Sequence, residues 1–202
     1  MGVAIFVVTI HFLFPHNWTH IVKTLIASGI AAAALVSAAS ADITYTLTNA
    51  TFGEFDFNEV YAAGSLTGVL TGASIDVTLN ASTNYTYAKD LCVYVAPTPF
   101  NDGGLLQCGG TSDLQATQRY SWPNGDNYAP GTTSIGTVNF TTGIDMAANP
   151  TQSIWIGNGY SANYNFGTWS GTITLLGVTA VPAPGAMALL GLAGFCSRHR
   201  RA

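Results

Sequence analysis

Histidine is missing from the whole stretch between Asp42 and Val181. All four histidines, His11, His16, His20 and His199, sit in the two ends of the chain. The central stretch therefore lacks the imidazole for a Ser-His-Asp or Cys-His centre or for a histidine-ligated zinc site. Bases are nearly as scarce. Only Lys89 and Arg119 offset the chain's 10 acids, all of which fall in this stretch. So acidic a segment repels phosphates and anionic lipid surfaces, which argues against nucleic acid as a partner. Cysteine is sparse too, with Cys92 and Cys108 in the middle and Cys196 near the end. No amphipathic helical period appears in the central stretch. There is no internal repeat either, so its threonine rows do not belong to a repetitive solenoid.

Long apolar runs occur only at the two ends. Lys23 precedes an apolar run from Thr24 to Val36 that finishes in the small residues Ala38-Ala39-Ser40-Ala41. That is the layout of a secretory signal peptide, forming a helix, with Ala39 and Ala41 at the cleavage site. An earlier apolar stretch, Gly2 to Phe14, is broken by Pro15, and the working signal is expected to begin at about residue 22. Export makes the secretion machinery an expected partner. At the other end, Val181-Pro182-Ala183-Pro184-Gly185 leads into an apolar run to Phe195 and then Arg198-His199-Arg200-Arg201. As a helix at ~1.5 Å per residue, Ala183 to Cys196 reaches roughly 21 Å. A bilayer core of about 30 Å is thicker than that. The tail is therefore expected to hold the membrane transiently, with its arginines on the cytoplasmic side.

This order of proline break, apolar run and basic cluster resembles the PEP-CTERM sorting signal of bacterial envelope proteins. The resemblance covers Val181 to Arg201 and departs from the family at Ala183, where Pro-Glu-Pro is usual. It implies sorting to the envelope, with a membrane-embedded exosortase as the processing partner. The expected organisation is a leader over 1–41, a secreted domain over 42–180 and a sorting tail over 181–202.

Within the secreted domain the period is two. Ile43, Tyr45 and Leu47 alternate with Thr44, Thr46 and Thr48, and Ile75, Val77 and Leu79 alternate with Ser74, Asp76 and Thr78. Leu91, Val93 and Val95 share one face of a strand whose other face carries Cys92 and Tyr94. Further strands are expected over Ala116–Tyr120, Gly136–Phe140, Ser153–Ile156 and Thr168–Leu176, with Trp169, Ile173 and Leu175 on one face. Gly, Asn and Pro clusters at Thr71-Gly72-Ala73, Asn101–Gly104, Pro123–Asn127, Ala129–Gly131 and Gly157–Gly159 read as turns. The pattern predicts an all-β, antiparallel two-sheet sandwich of jelly-roll type, flanked by the signal helix and the hydrophobic C-terminal helix. Ser74–Leu79, Tyr85–Leu91, Val93–Pro97 and Gly167–Gly171 also resemble, locally, the P-domain jelly roll of subtilisin-like proteases. That likeness implies a fold and no catalytic residues.

In an oxidising envelope Cys92 and Cys108 are expected to pair, worth ~3 kcal/mol by loop closure. Calcium is the candidate cofactor, with Asp90, Asp102 and Asp126 supplying carboxylate oxygens beside Asn-rich turns, though without EF-hand spacing. Trp122, Tyr128, Tyr160 and Tyr164 lie among turn residues, where flat rings can stack on sugars, making extracellular polysaccharide a candidate partner. Trp155 and Trp169, inside strand alternations, are expected in the core. Glu54 and Asp56, with Glu59 nearby, form the one carboxylate cluster that invites a glycosidase comparison, if the first two share a strand face. The expected function is that of a non-enzymatic structural protein of the cell surface or extracellular matrix. A carbohydrate-binding module stands second and a weak glycoside-active enzyme third.

Overall fold

The structure, a computed structural model, describes residues 41–99, 104–111 and 115–182. The cleavage-site Ala39, calcium candidate Asp102 and tail residues Ala183, Pro184, Gly185, Arg198, Arg200 and Arg201 lie outside them, as do the expected signal and tail helices. Among the described residues no helix is long and apolar enough to cross a membrane.

Nine strands run in chain order: β1 Ile43–Gly53, β2 Phe57–Tyr61, β3 Leu66–Ser82, β4 Leu91–Ala96, β5 Leu106–Cys108, β6 Gln118–Tyr120, β7 Thr133–Asp145, β8 Ser153–Asn158 and β9 Phe166–Ala180. They form two sheets, one ordered β1-β9-β3-β7 and the other β2-β8-β4-β5-β6. The β5–β6 pair is parallel, with Leu106 opposite Gln118, and is the exception in an otherwise antiparallel pairing scheme.

Strict alternation drives the packing, because successive side chains on a strand point to opposite faces. Ala73, Ile75, Val77 and Leu79 on β3 register with Leu175, Ile173, Gly171 and Trp169 on β9, and all but Gly171 are buried. Leu91, Val93, Val95, Leu106, Ile154 and Ile156 face them from the second sheet. Serine and threonine occupy the opposite face of the four-stranded sheet. There Thr44 bonds Thr174 at 2.9 Å, Thr51 bonds Thr168 at 2.7 Å and Ser74 bonds Thr137 at 2.7 Å. Trp169 is fully buried, its ring centroid 6.2 Å from that of Phe52. Its indole lies over Gly167, where an added Cβ would fall 2.2 Å from the ring. Burying a ring of this size contributes roughly 4–6 kcal/mol before entropy is counted.

Several strands run longer than their alternation suggests, and two, β2 and β5, carry no alternation strong enough to read. The turn expected at Thr71-Gly72-Ala73 is instead the interior of β3. Register shifts there against both β7 and β9, and a Cβ on Gly72 would come within 2.6 Å of Val138 O. A glycine permitting close backbone approach at a bulge looks the same in sequence as a turn glycine.

The expected disulfide is corrected. Cys92 and Cys108 are both free and buried. The register sets Cys108 opposite Val93, not Cys92. Residues directly opposite share a face, so Cys108 joins the inter-sheet core while Cys92 turns outward with Tyr94 and Ala96. Burial pushes both thiols well above their ordinary value. The outward face of β4 is covered by Phe55, Phe57, Ala116 and Trp155, so this strand is buried on both sides.

Candidate functional site

The β1–β2 turn, the β3–β4 connection, the β6–β7 loop and the β8–β9 loop all gather at one end of the sandwich. Their hub is a single 3-10 turn, Ala88–Asp90, that leads into β4. Ala88 N–H donates to Asn127 O at 3.0 Å and Lys89 N–H to Gly125 O at 3.2 Å. Gly110 N–H donates to Lys89 O and Gly159 N–H to Asp90 O, at 3.0 and 2.9 Å. Two indoles close the arrangement from beneath: Trp169 Nε1 donates to Ala88 O at 3.1 Å and Trp122 Nε1 to Leu91 O at 2.7 Å. Asn165 Nδ2 reaches Thr86 Oγ1 and Tyr160 O, both at 3.2 Å. Backbone groups that a loop end would otherwise leave unpaired are satisfied across four chain segments, so the end is a cross-tied unit.

That unit carries an exposed tyrosine surface. Tyr85 is 65% exposed, Tyr128 47% and Tyr164 93%. Tyr85 and Tyr128 meet edge to face at 5.2 Å, and half-buried Tyr87 stacks on Tyr128 at 6.1 Å with the rings 17° from parallel. Tyr164 belongs to the neighbouring loop tip, held by Thr83 Oγ1 donating to Tyr164 O at 3.1 Å and Asn84 Nδ2 donating to Asn163 O at 2.7 Å. The backbone is strained where these rings project: Asn84, Tyr85 and Tyr164 have φ of 48°, 62° and 57°. Asparagine tolerates that region, but a bulky residue there is an outlier costing on the order of 1 kcal/mol or more. Two tyrosines thus occupy an unfavourable backbone state and leave their rings in water.

The sequence-derived candidates divide here. Tyr128 and Tyr164 are on the exposed surface. Tyr160 is half-buried behind it. Trp122 is corrected: it is 3% exposed, its indole anchoring β4. Its Pro/Asn/Gly neighbourhood marks a loop, but the loop folds back and sends the ring inward. Trp169 is core as expected, whereas Trp155 is half-buried on the outward face beside Tyr94, with Nε1 donating to Ala96 O at 3.0 Å. Tyr85 and Tyr87 are not among the sugar-contact candidates that the sequence offers. The Tyr-x-Tyr at 85–87 is the available signal, masked by its place in a family-like strand connection.

Glu54 and Asp56 do not share a strand face, since both fall in the turn between β1 and β2. Glu54 sits in the tight β1–β2 turn, not on a strand, and accepts from Ser161 Oγ at 2.6 Å. Asp126 pairs with Lys89 at the surface. Asp90 is 1% exposed; its Oδ2 accepts Tyr87 N–H at 2.7 Å and its Oδ1 has no partner. Desolvation pushes Asp90 up to about 6, against the opposing pull of the Tyr87 N–H and Lys89 and with a further rise from Asp126. Among the described residues no group of three or more His, Cys, Asp or Glu side chains could hold a metal ion.

No protein-family model, curated protein or solved structure matches the chain.

Proposed function

We propose that this chain is an exported, envelope-sorted bacterial β-sandwich that acts without catalysis at the cell surface or in the extracellular matrix, contacting polysaccharide through its tyrosine end. The observation that carries the polysaccharide contact is the set Tyr85, Tyr128 and Tyr164. These are exposed rings on one cross-tied loop end, two of them held in a left-handed backbone. Strain maintained at an exposed aromatic residue points to function, since folding alone favours relieving it and burying the ring. A ring's negative face attracts the polarised C–H groups on the apolar side of a sugar, and tyrosine loses little side-chain entropy on contact. Rings fixed by loop hydrogen bonds before binding reduce the ordering cost further.

The exported, sorted part of the reading rests on the tripartite tail from Val181 and on the A-x-A leader ending at Ala41. Absence of histidine from the 42–181 stretch and the separate engagements of Glu54, Asp90 and Asp126 support a non-catalytic role. The strand orders β1-β9-β3-β7 and β2-β8-β4-β5-β6 support assignment to the jelly rolls, because consecutive strands, apart from the run β4 to β6, hop between the two sheets.

A glycan array and affinity electrophoresis in immobilised polysaccharide test the contact. Retardation by at least one polysaccharide is expected, weakened on the order of tenfold by Tyr128→Ala or Tyr164→Ala. Tyr120→Phe, on β6 and with its ring against Phe140, should leave it unchanged. Uniform absence of retention, or retention indifferent to the platform substitutions, sinks the reading.

A further inference from the structure

Among the described residues the sandwich is closed along one side and open along the other. The four-stranded sheet ends laterally in β7 and β1. Side chains cap the β7 edge. Asn124 Oδ1 accepts Ile135 N–H at 2.7 Å while its Nδ2 donates to Ile135 O at 2.6 Å, imitating a paired strand. Tyr120 Oη accepts Thr141 N–H at 2.7 Å, and Gln118 Nε2 donates to Thr142 O at 3.1 Å. These residues lie on β6 and the β6–β7 loop, so the caps also tie the second sheet to the first.

β1 has no such cover among the described residues. Its side-chain bonds run inward, to β9 and to Asn80 of β3. Along Ile43–Gly53 there is no charge and no proline, the usual means of blunting an edge strand. A bulge between Leu47 and Ala50 interrupts the strand and leaves Ile43–Leu47 as a regular segment of β-favouring residues. The core beside this edge is incompletely covered. Ile43 and Tyr45 of β1 and Val60 and Tyr61 of β2 are only half-buried, forming one apolar strip along the lateral strands of both sheets.

We propose that this edge is an assembly interface, on which β1 of a second copy of the same chain pairs antiparallel about a two-fold axis. Two features select a second copy. The domain carries all 10 of the chain's acids and only Lys89 and Arg119 as bases, so two copies repel over most of their surface, and the uncharged Ile43–Leu47 lets them meet without opposing carboxylates. The segment is also self-complementary. Reversed against itself about Tyr45, it sets Ile43 opposite Leu47 on the inner face and Thr44 opposite Thr46 on the outer one. The half-buried strip is covered and the hydroxyl rows continue from one sheet into the next. The inference is independent of the polysaccharide reading, since β1 lies along the side of the sandwich and the tyrosines at its end.

The test uses protein expressed from the full reading frame, leader and tail included, and purified in detergent from the exporting host. Light scattering behind size exclusion, corrected for the micelle, should give twice the mass of one chain at tens of micromolar. Thr46→Lys sets charges near one another across the two-fold and should return the mass to one chain, with the thermal midpoint of the dilute protein retained. The control, Thr137→Lys on the outer face of β7, should leave the doubled mass intact. Single-chain mass in the unmodified protein overturns the proposal, and so does a dimer that survives Thr46→Lys or is lost equally in Thr137→Lys.

Discussion

Changing Asp90 to asparagine should remove a pH dependence that runs opposite to ordinary acid denaturation. Asp90 is the buried carboxyl of the hub turn, with one oxygen on Tyr87 N–H and the other unpartnered, and burial raises it from 3.8 to about 6. A carboxyl raised on folding binds its proton more tightly in the folded state. Its contribution is then most favourable below the unfolded value and is lost as pH rises through the folded one. A difference of about 2 units at 1.36 kcal/mol each gives at most about 3 kcal/mol lost between pH 4 and pH 7. For a domain of this size that is roughly 10 °C in the thermal midpoint. The substituted amide would keep an oxygen for Tyr87 N–H and stay neutral throughout. Thermal or urea unfolding of both proteins should be followed from pH 3.5 to 8. The wild-type curve minus the Asp90→Asn curve isolates this group from the other carboxylates. It should fall by about 3 kcal/mol, mostly between pH 4 and 6.5. A flat or rising difference curve refutes the buried, ionisation-disfavouring site described for Asp90.

Neither Cys92 nor Cys108 should react with a thiol reagent at pH 8 in the folded protein, and both should react in denaturant, because both are buried with raised pKa. Recovery of a Cys92–Cys108 cross-linked peptide from unreduced protein would contradict the β4–β5 register. Trp122→Phe keeps most of the ring but removes the 2.7 Å bond to Leu91 O. It should cost about 1–3 kcal/mol in urea unfolding, and a neutral result would return Trp122 to the surface. Deleting residues 182–202 should move the protein from the membrane fraction into the medium, and unchanged fractionation would dismiss the tail as a sorting signal.

Fold class was legible from residue order because alternation is a local property. Ile75-Asp-Val-Thr-Leu79 and Leu91-Cys-Val-Tyr-Val95 each declare a strand and name its inward face without reference to any partner. The same holds for the absent histidines, the acidic balance and the layout of the two ends, each of which needs only composition and sequence order. Everything that depends on which strand lies beside which needed the tertiary structure. Cys92 and Cys108 look like a pair in sequence; a register that sets Cys108 opposite Val93 sends them to opposite faces of one sheet. Gly72 signals a turn by its flanking residues, yet lies inside β3, where Val138 O approaches too closely for a Cβ. Trp122 and Tyr128 sit in the same Pro- and Asn-rich loop, and only the loop's path decides that one anchors β4 while the other joins Tyr85 and Tyr87 at the surface. Side-chain period is fixed by the backbone of a single strand, whereas register, burial of loop residues and the gathering of four loops at one end are fixed by contacts between residues distant in sequence.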